Sequence, residues 1–373
     1  MSWSRIRELV RKEFIQLFRD KKNRPLLIIS PLVQLIVFGY VVTTDVRDIR
    51  VGLFDQSRTP ESRRLIDTIN GNKTFRITHY LDHPEKLDRL LLKRKVNLGI
   101  TIPPDFSSKI RRGDTADIQI LVDGSMSNMA AVRISYTVTL LERLNRQLLK
   151  ELFRRRIDYG EIDDRIRTWY NPNLDSQYFY VPGIVAFLVM LLSLLFTSMA
   201  IVREKEAGTM EQLIVTPLRP FELILGKTIP FIIIAQGQMM LVIAFAIFWF
   251  EIPMVGNAFL LLAAACIFLL STLGIGLFIS TVSQTQQQAM MTNFFFIMPF
   301  FMLSGFVFPI ANMPAVIQWL TYLNPLQYFL VIIRGIFLKG TGLEILWPQF
   351  LGLMVLGVIV FSGAVIRFRK RLD

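Results

Sequence analysis

Few residues in this chain combine a reactive type with the spacing that chemistry needs. Gly226-Lys227-Thr228 looks like the end of a phosphate-cradling loop, in which backbone N–H groups and a lysine hold a nucleotide's phosphates. That loop requires a glycine five residues before its second one, and position 221 is Phe. Nucleotide binding is therefore not expected here, and no other stretch offers the loop. His79 and His83 are the only histidines, and they stand four apart, a spacing that could ligate a metal from one helix face. Pro84 follows immediately and no cysteine joins them, so they read as solvent-facing loop residues and no metal site is expected. Cys266, the single cysteine, cannot form an internal disulfide and reads as a small buried apolar residue. Serines within the apolar runs have no base beside them, so no catalytic site is expected.

The elements that carry these residues are mostly apolar. The chain of 373 residues is 52% hydrophobic, with a mean hydropathy of +0.44. Between Lys227 and Arg334 lie 106 residues, and Glu251 is the only charged one. A soluble fold cannot leave so long a stretch uncharged and still present a wet surface. A bilayer favours it, because each charge placed there costs a few kcal/mol. The net charge of +13 does not point to nucleic acid, because the basic residues sit largely at helix ends and form no aromatic-interleaved patch.

About 20 apolar residues span a hydrocarbon core. Uncharged runs place spans at 25–44, 176–202, 228–250, 258–281, 288–310 and 345–366. The first reads as an uncleaved anchor, being long for a signal core and without a small-residue cleavage site after it. Basic residues choose the sides. Eight Lys or Arg fall in 1–24, four in 203–227 and four in the tail 367–373. Placing all three in the cytoplasm requires an even number of spans, and six satisfy every short loop. The apolar remainder, 311–344, is punctuated by Pro314, Asn324 and Pro325 and reads as a re-entrant segment on the outer side.

Residues 45–175 hold 24 basic and 19 acidic residues, a soluble balance. Short β-like runs occur at Val51–Phe54, Phe75–Tyr80, Val96–Ile102 and Asp117–Val122. Helical runs lie at Pro60–Ile69, Pro84–Arg94 and Asn128–Ile157. The fold class is thus membrane α-helical, with six spans and a small extracytoplasmic α/β domain inserted between the first two.

Two cytoplasmic segments carry the charge. In 1–24, Trp3, Ile6, Val10, Phe14 and Leu17 repeat at helical spacing between Arg and Lys, the pattern of an amphipathic helix on the inner membrane face. After the second span, Arg203, Glu204, Lys205, Glu206 and Glu211 lie close together. Such mixed charge suits a protein partner better than lipid. Pro217 and Pro220 then force a turn. Phe294, Phe295, Phe296, Met298, Phe300, Phe301 and Met302 form an unusually Phe- and Met-rich run. Adaptable side chains of this kind suit a hydrophobic pathway, with Phe295, Met298, Phe301 and Met302 as the candidate lining. Lipid contact and helix packing are the competing role for that face.

Several of these stretches resemble the ABC-2 type of ABC-transporter permease, across nearly the whole chain. Arg203-Glu-Lys-Glu-Ala-Gly-Thr-Met-Glu-Gln-Leu, then Thr216-Pro-Leu-Arg-Pro and Gly226-Lys, resembles that family's cytoplasmic loop. Gly99-Ile-Thr-Ile-Pro-Pro-Asp-Phe106 and Val122-Asp-Gly-Ser125 resemble the outside domain of its multidrug-type branch. Asn324-Pro-Leu-Gln-Tyr-Phe and Arg334-Gly-Ile-Phe-Leu-Lys-Gly340 resemble its re-entrant segment, and Tyr180-Val-Pro-Gly183 its entry into the second helix. The resemblance implies a dimer of identical or similar permease protomers bound to two copies of a separate ATPase. ATP would be used by that partner, with no cofactor on this chain. Arg203, Glu204, Glu206, Gly208, Thr209 and Glu211 would couple the two. It also implies a multi-pass protein of the inner membrane, surrounded by lipid, and a periplasmic membrane-fusion adaptor as a further partner.

The expected function is export of an amphipathic or hydrophobic compound, drugs included. The rival reading is a membrane-anchored sensor or adaptor that binds ligand through 45–175 and moves nothing. An ion-coupled transporter is disfavoured because the spans are nearly free of ionisable residues.

Overall fold

The computed structural model describes residues 3–19, 23–41, 48–72, 74–125, 127–153, 169–171, 175–209 and 220–369. The chain forms two compact units, Thr44–Ile166 and the combination of Met1–Thr43 with Arg167–Asp373.

The smaller unit is built on a four-stranded sheet of β1 (Ile49–Asp55), β2 (Phe75–Tyr80), β3 (Leu98–Ile102) and β4 (Gln119–Val122), in the order β2-β1-β3-β4. β1 runs parallel to β2 and β3, while β4 closes antiparallel on β3. Both neighbours of β1 are parallel to it, so each connection needs a crossover, which α3 (Pro60–Asn70) and α4 (Pro84–Leu92) supply. Thr59 caps α3 through a reciprocal bond with Ser62, and Pro60 opens it. Gly52 and Gly99 face each other across β1 and β3, and a Cβ on either would sit within 3 Å of the Leu87 side chain. The missing side chains let α4 lie directly on the sheet. The core joins Ile49, Val51, Leu53, Leu98, Ile100 and Ile102 to Leu65 and Ile69 of α3 and to Leu140 and Leu144 of α6 (Ser127–Phe153). All four strands and these three helices fall where the sequence places them. A further short helix, α5 (Phe106–Arg112), follows Pro103-Pro104 and is not marked by any periodicity in the sequence. His79 lies on β2 rather than in a loop, with its ring on the Thr78 hydroxyl at 3.0 Å, and His83 precedes α4.

The larger unit is helical. It comprises α1 (Trp3–Arg19), α2 (Asn23–Val41), α7 (Ser176–Glu206), α8 (Pro220–Phe250), α9 (Ala258–Val282), α10 (Gln286–Met302), α11 (Ala315–Thr321), α12 (Pro325–Arg334) and α13 (Leu343–Arg369). α7 supplies the centre of the core. Val181, Ile184, Val185, Leu188 and Val189 are buried there with Phe268 of α9, Phe329 of α12 and Leu353 of α13.

Among the described residues four helices are long and apolar enough to cross a membrane: Ser176–Glu206, Glu222–Phe250, Ala258–Val282 and Leu343–Arg367. A fifth span is present if the pair α11 and α12, bent by 79°, counts as one. One expected span ends early, and the last residues of another, 42–44, lie outside the described residues. The apolar part of α2 is Leu27–Val41. α10 ends at Met302, although its expected span runs to 310, so its 17 residues reach about 25 Å against a core of about 30 Å. Pro299 lies in its last turn, Gly305 takes φ +81° and Pro309 follows, so the helix cannot continue. α8 starts at Pro220, eight residues before its expected span, because proline fits a helix's first turn without losing a bond.

The segment 311–344 breaks at Asn324-Pro325. The Asn324 carboxamide accepts from the Leu326 amide at 3.0 Å and donates to the Phe300 carbonyl at 2.7 Å, capping α12 and tying it to the end of α10. α12 runs into a π-helical turn, Gly335–Lys339, ended by Gly340 at φ +64°.

Candidate functional site, a buried ion cluster where three helices meet

Lys227 is the most deeply buried charged residue of those described, 1% exposed. Its ammonium lies 2.7 Å from the Glu204 carboxylate of α7 and 3.4 Å from that of Glu13 on α1. Lys12 of α1 reaches Glu204 from the solvent side at 3.4 Å. Two cations thus face two carboxylates, and α1, α7 and α8 each contribute at least one charge. Such a cluster can persist away from water only because its charges neutralise one another.

The local sequence explains the approach. The buried stripe of α1 is Ile6, Leu9, Glu13 and Leu17. Of the repeat read from the sequence, Ile6 and Leu17 are in this stripe, Val10 and Phe14 are half-buried beside it, and Trp3 stands 69% exposed. Glu13 occupies a core position because Lys227 faces it. One residue earlier, a Cβ on Gly226 would lie 2.2 Å from Leu9 Cδ2, so only glycine allows α1 to seat on α8 here. The Gly226-Lys227 pair therefore has a structural use, in place of the phosphate loop it superficially suggests.

The next two residues of α7 tie to other elements. Lys205 donates to the carbonyls of Ser280 and Ser283 at 3.1 and 3.3 Å, at the C-terminal end of α9. Glu206 accepts from the Gln286 backbone amide at 2.7 Å and from its side chain, at the N-terminus of α10. Glu204, Lys205 and Glu206 thus link the end of α7 to four helices. Gly208 takes φ +68° and Thr209 donates its backbone N–H to the Glu204 carbonyl at 3.0 Å, closing α7. Beside the cluster lies a cleft of about 180 Å³, with Glu13, Gln16, Arg203 and Thr209 among its lining.

The structure therefore divides the six residues assigned to coupling. Arg203 and Glu206 are exposed, Gly208 and Thr209 form the turn, and Glu204 is turned inward. Glu211 lies outside the described residues. The charge of Glu204 is met inside the chain by Lys227 and Lys12. Sequence reasoning missed Glu13 and Lys227; the signal was a lysine at the edge of an apolar run and a glutamate on an amphipathic helix's apolar side.

Of the four candidate pathway residues, Phe295, Met298 and Met302 share the exposed face of α10. Phe301 turns away onto Phe187, with ring centroids 4.5 Å apart. Cys266 is exposed, not buried, and the Gln236 amide lies 3.0 Å from its sulfur. Arg334, which opens the stretch Arg334–Gly340, is half-buried at the end of α12. Its guanidinium stacks 3.7 Å from the Phe179 ring centroid, and its Nε and Nη2 are buried without a partner among the described residues. Among the described residues no three His, Cys, Asp or Glu side chains converge on a metal position.

A multi-pass helical protein, with a paired charge cluster at one end of its bundle, is the class these features define. The family model described as ABC-2 family transporter protein matches residues 25–367, and the chain belongs to this family. It is 33% identical to a probable multidrug ABC transporter permease of Escherichia coli, YbhR, over 98% of this chain and 99% of that one. It is also 33% identical to a second protein of that description, YbhS, over 100% and 99%. A third relative is the E. coli inner membrane transport permease YhhJ, 26% identical over 96% and 95%.

Proposed function

We propose that this chain is the membrane-spanning subunit of an ATP-driven exporter of amphipathic or hydrophobic compounds, working as a dimer with two copies of a separate ATPase. The observation that carries this reading is the end-to-end match to ABC transporter permeases. The reading places six spans in the inner membrane, with α2 and α10 among them. Both termini and 203–227 then lie in the cytoplasm, and 45–175 lies outside, where a membrane-fusion adaptor would meet it. ATP binds the partner and no cofactor binds this chain.

The ion cluster gives the coupling a physical route. A push on 203–211 acts at the end of α7, whose charged residues hold α1, α8, α9 and α10. Those helices then move with it instead of bending locally. Docking falls to Arg203 and Glu211, since Glu204 and Glu206 serve within the chain.

The test is purification in detergent from the native host, with mass spectrometry of what accompanies the chain. The expected result is a P-loop ATPase with the wild type, lost from an Arg203→Glu/Glu211→Arg variant that remains folded. Recovery with both would move the docking surface elsewhere. Failure to recover any ATPase, even after cross-linking in cells, would sink the exporter reading.

A further inference from the structure

α10 and α13 flank α9 without closing on each other, and a groove of about 620 Å³ lies between them. Ile275 and Phe278 form its floor, Phe296 and Phe300 one wall, and Ile359 and Gly363 belong to the other. Of its lining side chains only Ser271 and Arg367 are polar. Ser271 is fully buried, with no hydrogen-bond partner for its hydroxyl. Arg367 stands at one end, its guanidinium 5.0 Å from the Phe278 ring centroid across the groove.

We propose that this groove is a binding site for an anionic phospholipid, with one acyl chain along the apolar walls and the phosphate on Arg367. Three features favour that occupant. From Leu356 to Arg367 the groove follows α13 for eleven residues, or about 16 Å, which is the depth of one leaflet of a core about 30 Å thick. Its volume falls in the range of sites that bury an organic ligand of this size. Its charge is a single arginine at the end where the headgroup would sit, and Arg369, Lys370 and Arg371 follow in the sequence. Basic residues beyond a span attract the same anionic headgroups, each by about 1 kcal/mol. A guanidinium offers phosphate two parallel donors, which a zwitterionic lipid uses less well because its own cation competes. The site is separate from the exposed Phe295, Met298 and Met302 face of α10, and the proposal does not depend on the exporter reading.

The test uses the full chain, with whatever subunits accompany it, in phosphatidylcholine vesicles. The probe is phosphatidylglycerol carrying a diazirine in mid-chain, compared with phosphatidylcholine carrying the same chain, and labelled peptides are mapped by mass spectrometry. Two variants separate headgroup from chain. Arg367→Gln removes the charge. Gly363→Leu fills the groove, and nothing lies within 4 Å of where its Cβ would go, so the helix tolerates it. Labelling by phosphatidylglycerol is expected to concentrate on the segments around Ile275, Phe296 and Ile359. Arg367→Gln should lower it by roughly tenfold, to the phosphatidylcholine level. Gly363→Leu should abolish it for both lipids. Label spread evenly over the outer helix faces, or insensitive to either variant, would overturn the proposal. So would cross-links between two copies of the chain at Ile359, which would give the groove to a second protomer.

Discussion

Replacing Lys227 by Met keeps the length and most of the volume of the side chain and removes only its charge. Glu204 and Glu13 would then be left 7% and 6% exposed, with Lys12 alone as a counter-ion, 3.4 Å from Glu204. Breaking a buried ion pair by removing one partner costs about 3–5 kcal/mol. Unfolding of so large a chain is not two-state, so the apparent melting temperature is the usable measure. At about 2–4 °C per kcal/mol, the variant in detergent should melt roughly 6–20 °C lower than the wild type. The control is Lys86→Met, which removes an exposed lysine of α4 and should shift melting by no more than about 1 °C. The decisive arm is compensation. Adding Glu204→Gln and Glu13→Gln to Lys227→Met removes all three central charges, and the triple variant should recover at least half of the loss, since apolar or neutral replacement of a whole buried network is close to neutral. If Lys227→Met melts with the control, the cluster is not buried and paired as described. If the triple variant is worse than the single one by the sum of its parts, the three charges act independently and the argument fails.

Gly226→Val should release α1, because its Cβ would meet Leu9 Cδ2 at 2.2 Å; faster proteolysis at the residues joining α1 to α2, with the rest of the chain intact, would report it. In the smaller unit, the Arg111 guanidinium beside Glu61, followed by the Ser107 hydroxyl, lowers the Glu61 carboxyl to about 2 from its ordinary 4.5. A lowered carboxyl stabilises the fold above about 4.5 and loses that contribution as pH falls toward about 2. Glu61→Gln should therefore reduce hydrogen-exchange protection of α3 near neutral pH, and global unfolding of the two proteins should converge in acid. Arg111 is largely exposed, so the neutral-pH difference should stay near 0.5–1 kcal/mol, as roughly expected of surface pairs. Arg334→Met should leave melting unchanged or raise it. Two buried nitrogens, Nε and Nη2, have no partner among the described residues to lose, and relief of the buried charge offsets the long bond from Nη1 to the Gly305 carbonyl, 3.5 Å, and the cation–π contact with Phe179, worth about 1–2 kcal/mol. A fall of more than about 5 °C would mean that Arg334 has an anionic partner the described residues do not contain.

The legible parts of the sequence were those governed by local physics. Uncharged runs marked the long helices, and alternation with turn residues placed β1 to β4 within two residues at either end. Helix ends set by Pro220 and Pro299 were less legible, because proline is compatible with both a start and a late break, and neighbouring elements decide which occurs. The charged stretch after α7 was read as a surface for a partner because its composition is that of a solvated helix. Residues 204 to 206 are committed to partners elsewhere in the chain, at 12, 227, 280, 283 and 286. No local pattern reveals a pair separated by two hundred residues. The repeat read for α1 held Ile6 and Leu17 of the buried stripe but not Glu13, for the same reason. Hydrophobicity alone cannot place Glu13 on the buried side; only the lysine opposite does so.

The central claim is that a separate ATPase drives this chain through 203–211. Its most direct test is a photo-reactive amino acid at Glu211, irradiated in living cells, with a second copy of the experiment at Phe248, near the opposite end of α8. The account predicts a cross-link from position 211 to a P-loop ATPase, changed in yield by ATP depletion, and none from position 248. Capture of that ATPase from neither position, with the protein folded and in the membrane, would contradict it.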